Sequence, residues 1–213
     1  MNVRIPAAWA LFGALVLVPR IAAAQEDSTP RVSVGAGAGV AFPFHGDFDF
    51  TPWAWDADVR IAMSPHVLFE VAVGEWRHTD SLVRQNIPVT PGGGTIGRLE
   101  QSTTRAQRSL EANVLFTGAR GRVRTNVGGG IGLLQHHRDT SHVTADCSPG
   151  TSCGSFESAF SNVSGSAQAV GGAEVRLAGG LALYGQVRFV VPFADPGGSD
   201  LRATTGLRWS FVR

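Results

Sequence analysis

The stretch LRATTGLRWSF, from Leu201 to Phe211, alternates residues of two kinds. Every second position is apolar or small, as at Leu207 and Trp209, whereas the positions between them, such as Arg202, are polar or small. In an extended strand, successive side chains point to opposite faces, so this stretch predicts a β-strand with one apolar face and one polar face.

Seven earlier stretches show the same alternation, and the connections between the eight are short and long in turn. This rhythm predicts an all-β fold, an eight-stranded up-and-down antiparallel barrel that is transmembrane, with tight turns at one end and longer loops at the other. The predicted strands cover residues 31–42, 53–63, 67–76, 104–117, 122–133, 163–177, 181–191 and 201–211.

The end of the chain carries a more specific signal. The segment Gly206–Phe211, GLRWSF, resembles the terminal signal of the small eight-stranded outer-membrane β-barrels, the OmpA-like and OmpW-like families. The resemblance implies that residues 25–213 form one outer-membrane barrel domain. It also implies that the barrel-assembly machinery reads the C-terminal strand, and that the protein lies in the outer membrane of a Gram-negative bacterium.

The N-terminus is typical of a secretory signal peptide. A short basic start, Met1–Arg4, precedes an apolar run, Ala7–Val18, and three alanines, Ala22–Ala24, provide a small-residue cleavage site. The alternative is a membrane anchor, but the apolar run is too short to span a bilayer comfortably. We therefore interpret residues 1–24 as a signal peptide.

The charge balance gives no indication of a nucleic-acid partner. The chain has a formal net charge of +1, and removal of Arg4 and Arg20 with the signal peptide leaves 16 basic against 17 acidic residues. A nucleic-acid-binding domain would carry a clear basic excess.

Alternation alone does not say which face of the barrel is inside. Strands of this length suit a tilted membrane crossing, and the polar face carries charges of both signs that could pair inside a barrel. Aromatic residues near predicted strand ends fit interfacial girdles. These are Phe42, Trp53, Trp55, Trp209 and Phe211. The alternative is a soluble barrel whose charged face lies in water.

An inward-facing polar side predicts an enclosed network of charges. Its expected members are Glu70, Arg105, Glu111, Arg122, Arg124, Glu174, Arg188 and Arg208. We expect each glutamate to pair with an arginine of a neighbouring strand. In particular, strands four and five should bring Glu111 near Arg122 or Arg124.

Two long segments, 79–98 and 136–158, lack strand alternation and are predicted to be exposed loops. The second holds the only two cysteines, Cys147 and Cys153, which predict a local disulfide in an oxidising compartment. It also holds His136, His137, Asp139 and His142, but their spacing matches no recognised metal-ligand pattern. We therefore expect no metal and no cofactor.

Eight strands leave an interior filled by side chains, so an open pore is not expected. The resulting hypothesis is a monomeric, non-enzymatic barrel with a structural or surface-interaction role, whose partners are outer-membrane lipid and lipopolysaccharide. One alternative is binding or passage of a small apolar ligand at the barrel mouth, as in OmpW-like barrels. Another is a lipid-modifying enzyme, although the His-x-Ser-Asn-type stretch of barrel deacylases is absent from the sequence.

The signal-peptide interpretation predicts cleavage after Ala24. N-terminal sequencing of the protein extracted from membranes should therefore read from Gln25, because the small side chains at 22–24 suit signal peptidase. A mature chain that retains Met1 would contradict this expectation.

Overall fold

The computed structural model describes residues 32–44, 52–89, 94–147, 153–194 and 198–211, so the predicted signal peptide lies outside the described residues. Within these ranges there are eight strands. They are β1 (Val32–Pro43), β2 (Trp53–Ser64), β3 (Val67–Val89), β4 (Gly94–Arg120), β5 (Val123–Cys147), β6 (Ser155–Arg176), β7 (Leu181–Pro192) and β8 (Asp200–Phe211). Across the described ranges, no helix has the length and apolar character needed to cross a membrane.

The strands form a closed antiparallel barrel in chain order, and β1 completes it by pairing with β8. The predicted up-and-down topology is thus confirmed. Three connections, at 65–66, 121–122 and 177–180, lie at the same end of the barrel, which we call the turn end. Gly121 and Gly180 adopt positive φ there, of 61° and 84°, which glycine tolerates more easily than other residues in tight turns.

Four strands continue well beyond the barrel wall at the opposite end. β3 pairs with β4 as far as Val89 with Gly94, and β5 pairs with β6 as far as Val143 with Ser155. By contrast, the ladder between β2 and β3 ends at Trp53 with Arg77. Residues 78–89, 94–105, 138–147 and 155–164 therefore form a four-stranded projecting sheet, and we call this end of the barrel the sheet end.

The projecting sheet corrects the prediction that 79–98 and 136–158 are loops. Most of these residues are strand, although they lack the alternation seen elsewhere. Both faces of the projecting sheet carry mainly polar side chains, as expected for strands that leave the hydrocarbon layer. Backbone pairing persists there, but the difference between the two faces that makes a strand visible in the sequence is lost.

The distribution of burial is inverted relative to a soluble barrel. Outward apolar side chains are exposed, with Val71 at 40% and Ile131 at 67%, whereas inward charged side chains are buried, with Glu70 at 0% and Arg208 at 1%. This pattern suits a wall surrounded by lipid, where closure pairs every backbone group of the sheet. The soluble alternative, with its charged face in water, is wrong.

The exposed outward apolar side chains form a belt around the barrel, and polar or aromatic residues mark its two edges. On β3 and β4 it ends at the outward pair Glu75 and Arg108, whose Oε2 and Nε atoms lie 3.2 Å apart. Large exposed aromatic side chains mark both ends of the barrel. Phe42, Trp53 and Phe193 lie toward the sheet end, and Phe116, Trp209 and Phe211 lie toward the turn end.

This arrangement predicts a strong position dependence for a charge on the outer wall. Val71→Arg, in the middle of the apolar belt, should lower the free energy of unfolding by about 2–4 kcal/mol, because the guanidinium would enter hydrocarbon. Val83→Arg is the matched control, since Val83 has the same outward parity on β3 but lies in the projecting sheet. Its effect should stay within about 0.5 kcal/mol.

Urea unfolding in lipid bilayers, followed by tryptophan fluorescence, would measure both variants. Equal stability of Val71→Arg and the parent would show that this face does not meet lipid.

Candidate functional site

The barrel interior is filled with charged side chains of both signs. Six carboxylate and five guanidinium side chains are buried among the described residues. They are Asp56, Asp58, Glu70, Glu111, Glu174 and Asp200, with Arg60, Arg124, Arg188, Arg202 and Arg208. Enclosed charges are tolerated when paired and hydrogen-bonded, so the contacts among these groups determine whether the interior is stable.

Near the sheet end, two arginines bind the carboxylates of Asp200 and Glu111. Arg202 Nε donates to Asp200 Oδ1 at 2.8 Å, and Arg202 Nη1 lies 3.6 Å from Glu111 Oε1. Arg188 Nη1 donates to Glu111 Oε2 at 2.5 Å. Gln107 Nε2 donates to the remaining carboxylate oxygen, Asp200 Oδ2, at 2.6 Å. Glu111 is therefore shared between arginines of β7 and β8.

Glu70 connects this sheet-end group of charges to Arg60, which lies further toward the turn end. Its Oε1 accepts from Arg188 Nη2 at 2.8 Å, and its Oε2 accepts from Arg60 Nε at 2.7 Å. Asn113 Nδ2 adds a third donor, 3.0 Å from Oε1. Arg60 Nη2 in turn donates to Gln186 Oε1 at 2.6 Å. Since Arg60 lies on β2 and Arg188 on β7, Glu70 connects opposite walls of the barrel.

Toward the turn end, Arg208 is the central cation. Its Nη2 donates to Asp58 Oδ2 at 2.7 Å, its Nη1 donates to Glu174 Oε2 at 2.9 Å, and its guanidinium lies 4.3 Å from the centroid of the Tyr184 ring. Arg124 Nη1 donates to the other oxygen of Glu174 at 3.4 Å.

Glycines on β1 leave the space that this network occupies. A Cβ at Gly35 would lie 2.8 Å from Asp58 Oδ2 and 3.2 Å from Arg208 Nε, and one at Gly37 would lie 2.6 Å from the Tyr184 hydroxyl. That hydroxyl donates to Asp56 Oδ1 at 2.8 Å. The interior therefore has no room for a Cβ at either position. The alternating glycines of β1 reflect an interior crowded by side chains from other strands.

The structure brings together six of the eight residues that the sequence predicted for the network: Glu70, Glu111, Arg124, Glu174, Arg188 and Arg208. The other two lie elsewhere. Arg122 is exposed at the turn end, and Arg105 lies at the sheet end, opposite Arg138 in the ladder.

The expected pairing of Glu111 with Arg122 or Arg124 is wrong. The ladder places Glu111 opposite Gly132 and places Arg124 opposite Ala119, eight positions away along β5. Long arginine side chains from β7 and β8 instead reach across the narrow barrel to Glu111. Barrel shear and diameter decide these contacts, and neither can be read from a single pair of strands.

The predicted network did not include five further charged residues that are buried in the interior: Asp56, Asp58, Arg60, Asp200 and Arg202. Four of them, Asp56, Asp58, Arg60 and Arg202, occupy inward positions of the predicted strands, so their burial could have been predicted from the alternation. Asp200 was hidden because it precedes the predicted start of its strand, whereas the structure pairs it with Pro43.

The second predicted loop supplies one cross-link. Cys147, the last residue of β5, forms a disulfide with Cys153, and their Cα atoms are 5.8 Å apart. Thr144 and Gly154 are joined beside it by backbone and side-chain hydrogen bonds. In the described ranges, no three His, Cys, Asp or Glu side chains are grouped as metal ligands.

The interior contacts predict that Glu111→Gln destabilises the barrel. The substitution removes one charge shared by Arg188 and Arg202 and should lower the free energy of unfolding by about 3–5 kcal/mol. Glu75→Gln is the matched control, because Glu75 pairs with one arginine on the outer surface and should contribute only about 0–1 kcal/mol. Urea unfolding should separate the two variants, and equal curves would argue against a dry, enclosed network.

Comparison with known proteins supports the fold. No protein-family model and no curated protein matches the chain. Among solved structures, the chain is similar to the attachment invasion locus protein Ail of Yersinia pestis, solved with the heparin analogue sucrose octasulfate. The identity is 10%, the TM-score is 0.51, and the match covers 84% of this chain and 96% of Ail.

Two further solved structures resemble the chain at 12% identity. One is Neisserial surface protein A, with a TM-score of 0.47 and coverage of 84% of this chain and 96% of that one. The other is the N-terminal β-barrel domain of Pseudomonas aeruginosa OprF, with a TM-score of 0.45 and coverage of 85% and 98%. The closed wall, the exposed apolar belt and the charged interior, together with the similarity to Ail, identify the chain as an eight-stranded β-barrel of the outer-membrane type.

Proposed function

We propose that this outer-membrane barrel is a non-enzymatic structural and surface-interaction protein whose contact surface is the projecting sheet. The interior supports a structural role, because layers of paired charges occupy its cross-section. The gap beside Asp56, Glu111 and Arg188 has no room for a water molecule. A filled interior of this kind gives no support to diffusion of solutes or to passage of an apolar ligand.

The observation that carries the proposal is a basic row on the projecting sheet where it leaves the barrel. Arg105 on β4 lies directly opposite Arg138 on β5, with His78 and Phe160 on the flanking strands of the same row. The two arginines place their guanidinium groups on the same face of the sheet, and His78 Nε2 also lies 2.7 Å from Asp80 Oδ1. Guanidinium groups bind phosphate oxygens in a fork, so the arginine pair suits a negatively charged partner.

Aromatic side chains accompany the arginines on the same face. Phe160 is 54% exposed in the row of Arg138, and Phe156 is 64% exposed two rows further out on the same face. The ring of Phe156 lies 6.4 Å from that of His142, its neighbour across the ladder. Exposed rings beside cations provide apolar contact and charge together, as recognition of a phosphorylated sugar requires.

The partner that fits this face is lipopolysaccharide, which surrounds the outer end of an outer-membrane barrel and carries phosphate groups. Ail, which shares the fold, was solved with a sulfated sugar, sucrose octasulfate. We further propose that the barrel is a monomer and that the assembly machinery engages β8.

The test is binding of purified lipopolysaccharide to the barrel in neutral nanodiscs, measured by surface plasmon resonance. Arg138→Gln should weaken binding roughly tenfold, since one charge-assisted contact is lost, and added salt should weaken binding by the parent. Arg77→Gln is the matched control, because Arg77 lies close to this row but on the outward face of β3.

Dephosphorylated lipopolysaccharide should bind the parent as weakly as intact lipopolysaccharide binds Arg138→Gln. Equal affinities of parent and Arg138→Gln, or equal losses in Arg138→Gln and Arg77→Gln, would overturn the proposed contact surface.

A further inference from the structure

The projecting sheet has two outer edges, formed by β3 and β6, and the β6 edge continues past the end of β7. β7 pairs with β6 from Arg176 back to Ser166, and one further hydrogen bond runs from Phe193 N–H to Gly165 O at 2.8 Å. Within the described ranges, no strand pairs with this side of β6 between Ser155 and Ser164. That part of β6 therefore has an edge that no described strand covers.

The hydrogen-bond pattern of β6 shows which backbone groups lie on the open edge. Gly154 O accepts from Thr144 N–H at one end of the ladder with β5, and Arg176 N–H donates to Arg122 O at the other. Even-numbered residues therefore bond to β5, whereas odd-numbered residues, such as Gly165, bond on the opposite side. In an antiparallel ladder, both backbone groups of a residue point the same way. The N–H and C=O groups that face the open edge belong to Ser155, Glu157, Ala159, Ser161 and Val163.

The two edges of the projecting sheet differ in how far their sequences oppose further pairing. Natural edge strands are commonly blocked by charged side chains or by proline. Between residues 78 and 89, the β3 edge carries Asp80, Arg84 and Pro88. Between residues 155 and 164, the β6 edge has a single charged residue, Glu157, and no proline. The β6 edge is therefore the less protected of the two.

We propose that the β6 edge binds an extended segment of a partner protein, which adds a strand antiparallel to β6 in line with β7. A row of amide and carbonyl groups at strand spacing is complementary to the backbone of an extended chain. On the inner face, the exposed rings of Phe156 and Phe160 would contact apolar side chains of that chain. On the outer face, Glu157 lies opposite the uncharged Ser141 in the ladder and would pair with a cation. The segment that fits alternates apolar with basic residues.

The register of this pairing is also defined. Residues directly opposite each other in an antiparallel pair place their side chains on the same face. Glu157 and Ala159 have outward parity and carry edge-facing backbone groups, so the basic residues opposite them would form the hydrogen bonds to β6. The apolar residues of the segment would point their N–H groups away from β6.

This difference gives two matched probes. A labelled synthetic peptide of alternating valine and lysine, capped at both ends, is titrated with the barrel in neutral nanodiscs, and binding is followed by fluorescence anisotropy. We expect saturable binding that is lost when every lysine is N-methylated, because the lysines supply the donors to β6. N-methylation of every valine should change the affinity by less than about twofold, since those N–H groups point away from β6.

Two proline variants test the edge from the side of the barrel. Ala159→Pro removes an N–H group that faces the open edge and breaks no bond to β5, so the barrel should fold and bind the peptide about tenfold more weakly. Ser81→Pro is the matched control. Thr117 N–H donates to His66 O, so even-numbered residues of β3 face β4, and Ser81 faces the open β3 edge. This variant should bind the peptide as the parent does.

Heat-modifiable gel mobility would check the folding of both variants, and the two methylated peptides test the proposal on the parent barrel alone. Equal affinity of the parent and Ala159→Pro, equal losses in Ala159→Pro and Ser81→Pro, or equal binding of the two methylated peptides would overturn the proposal. A dimer of the parent that Ala159→Pro dissociates, detected by light scattering, would also overturn it, in favour of a second copy of this chain. The edge acts through backbone groups, whereas the proposed lipopolysaccharide contact uses Arg138, so each proposal can fail without the other.

Discussion

The double contact of Glu70 with Arg60 and Arg188 is the interaction on which the rest of the interior depends. One carboxylate joins β2 and β3 to β7 across the lumen, at 2.7 and 2.8 Å. The same Arg188 then reaches Glu111, so the sheet-end and turn-end groups of charges form one connected set. In a barrel whose outer surface must be apolar, a network of this kind takes the place of a hydrophobic core.

The apolar portion of the interior is correspondingly small. Leu68, Leu115 and Val170 form one buried cluster near the turn end, and Ala41, Ala54 and Trp76 form another toward the sheet end. Removal of one charge from such an interior leaves its partner enclosed and uncompensated, whereas replacement of a matched pair by apolar groups does not. A charged residue of the interior can therefore be replaced without a large loss of stability only together with its partner.

The sequence was informative where the two faces of a strand meet different surroundings, and uninformative elsewhere. Residues such as Val71 and Glu70 alternate because one meets lipid and the other meets the interior, so the barrel strands and their parity could be predicted. The projecting sheet has no such contrast between its faces, and its strands were mistaken for loops. The partners of Glu111 could not be predicted either, because they come from strands that are distant in the sequence and close only across the lumen.

The projecting sheet makes membrane insertion directional. Residues 80–89 of β3 alone span roughly 30 Å at about 3.3 Å per residue. The side chains of Asp80, Arg84 and Gln85 cannot rest in hydrocarbon, nor can the β3 edge that no described strand pairs beyond Arg77. The four long strands must therefore be carried fully across the bilayer. The connections at the turn end are short, at 65–66, 121–122 and 177–180, and carry no such sheet. That end stays on the side of entry, and the reverse orientation would leave the sheet in the compartment from which the chain was inserted.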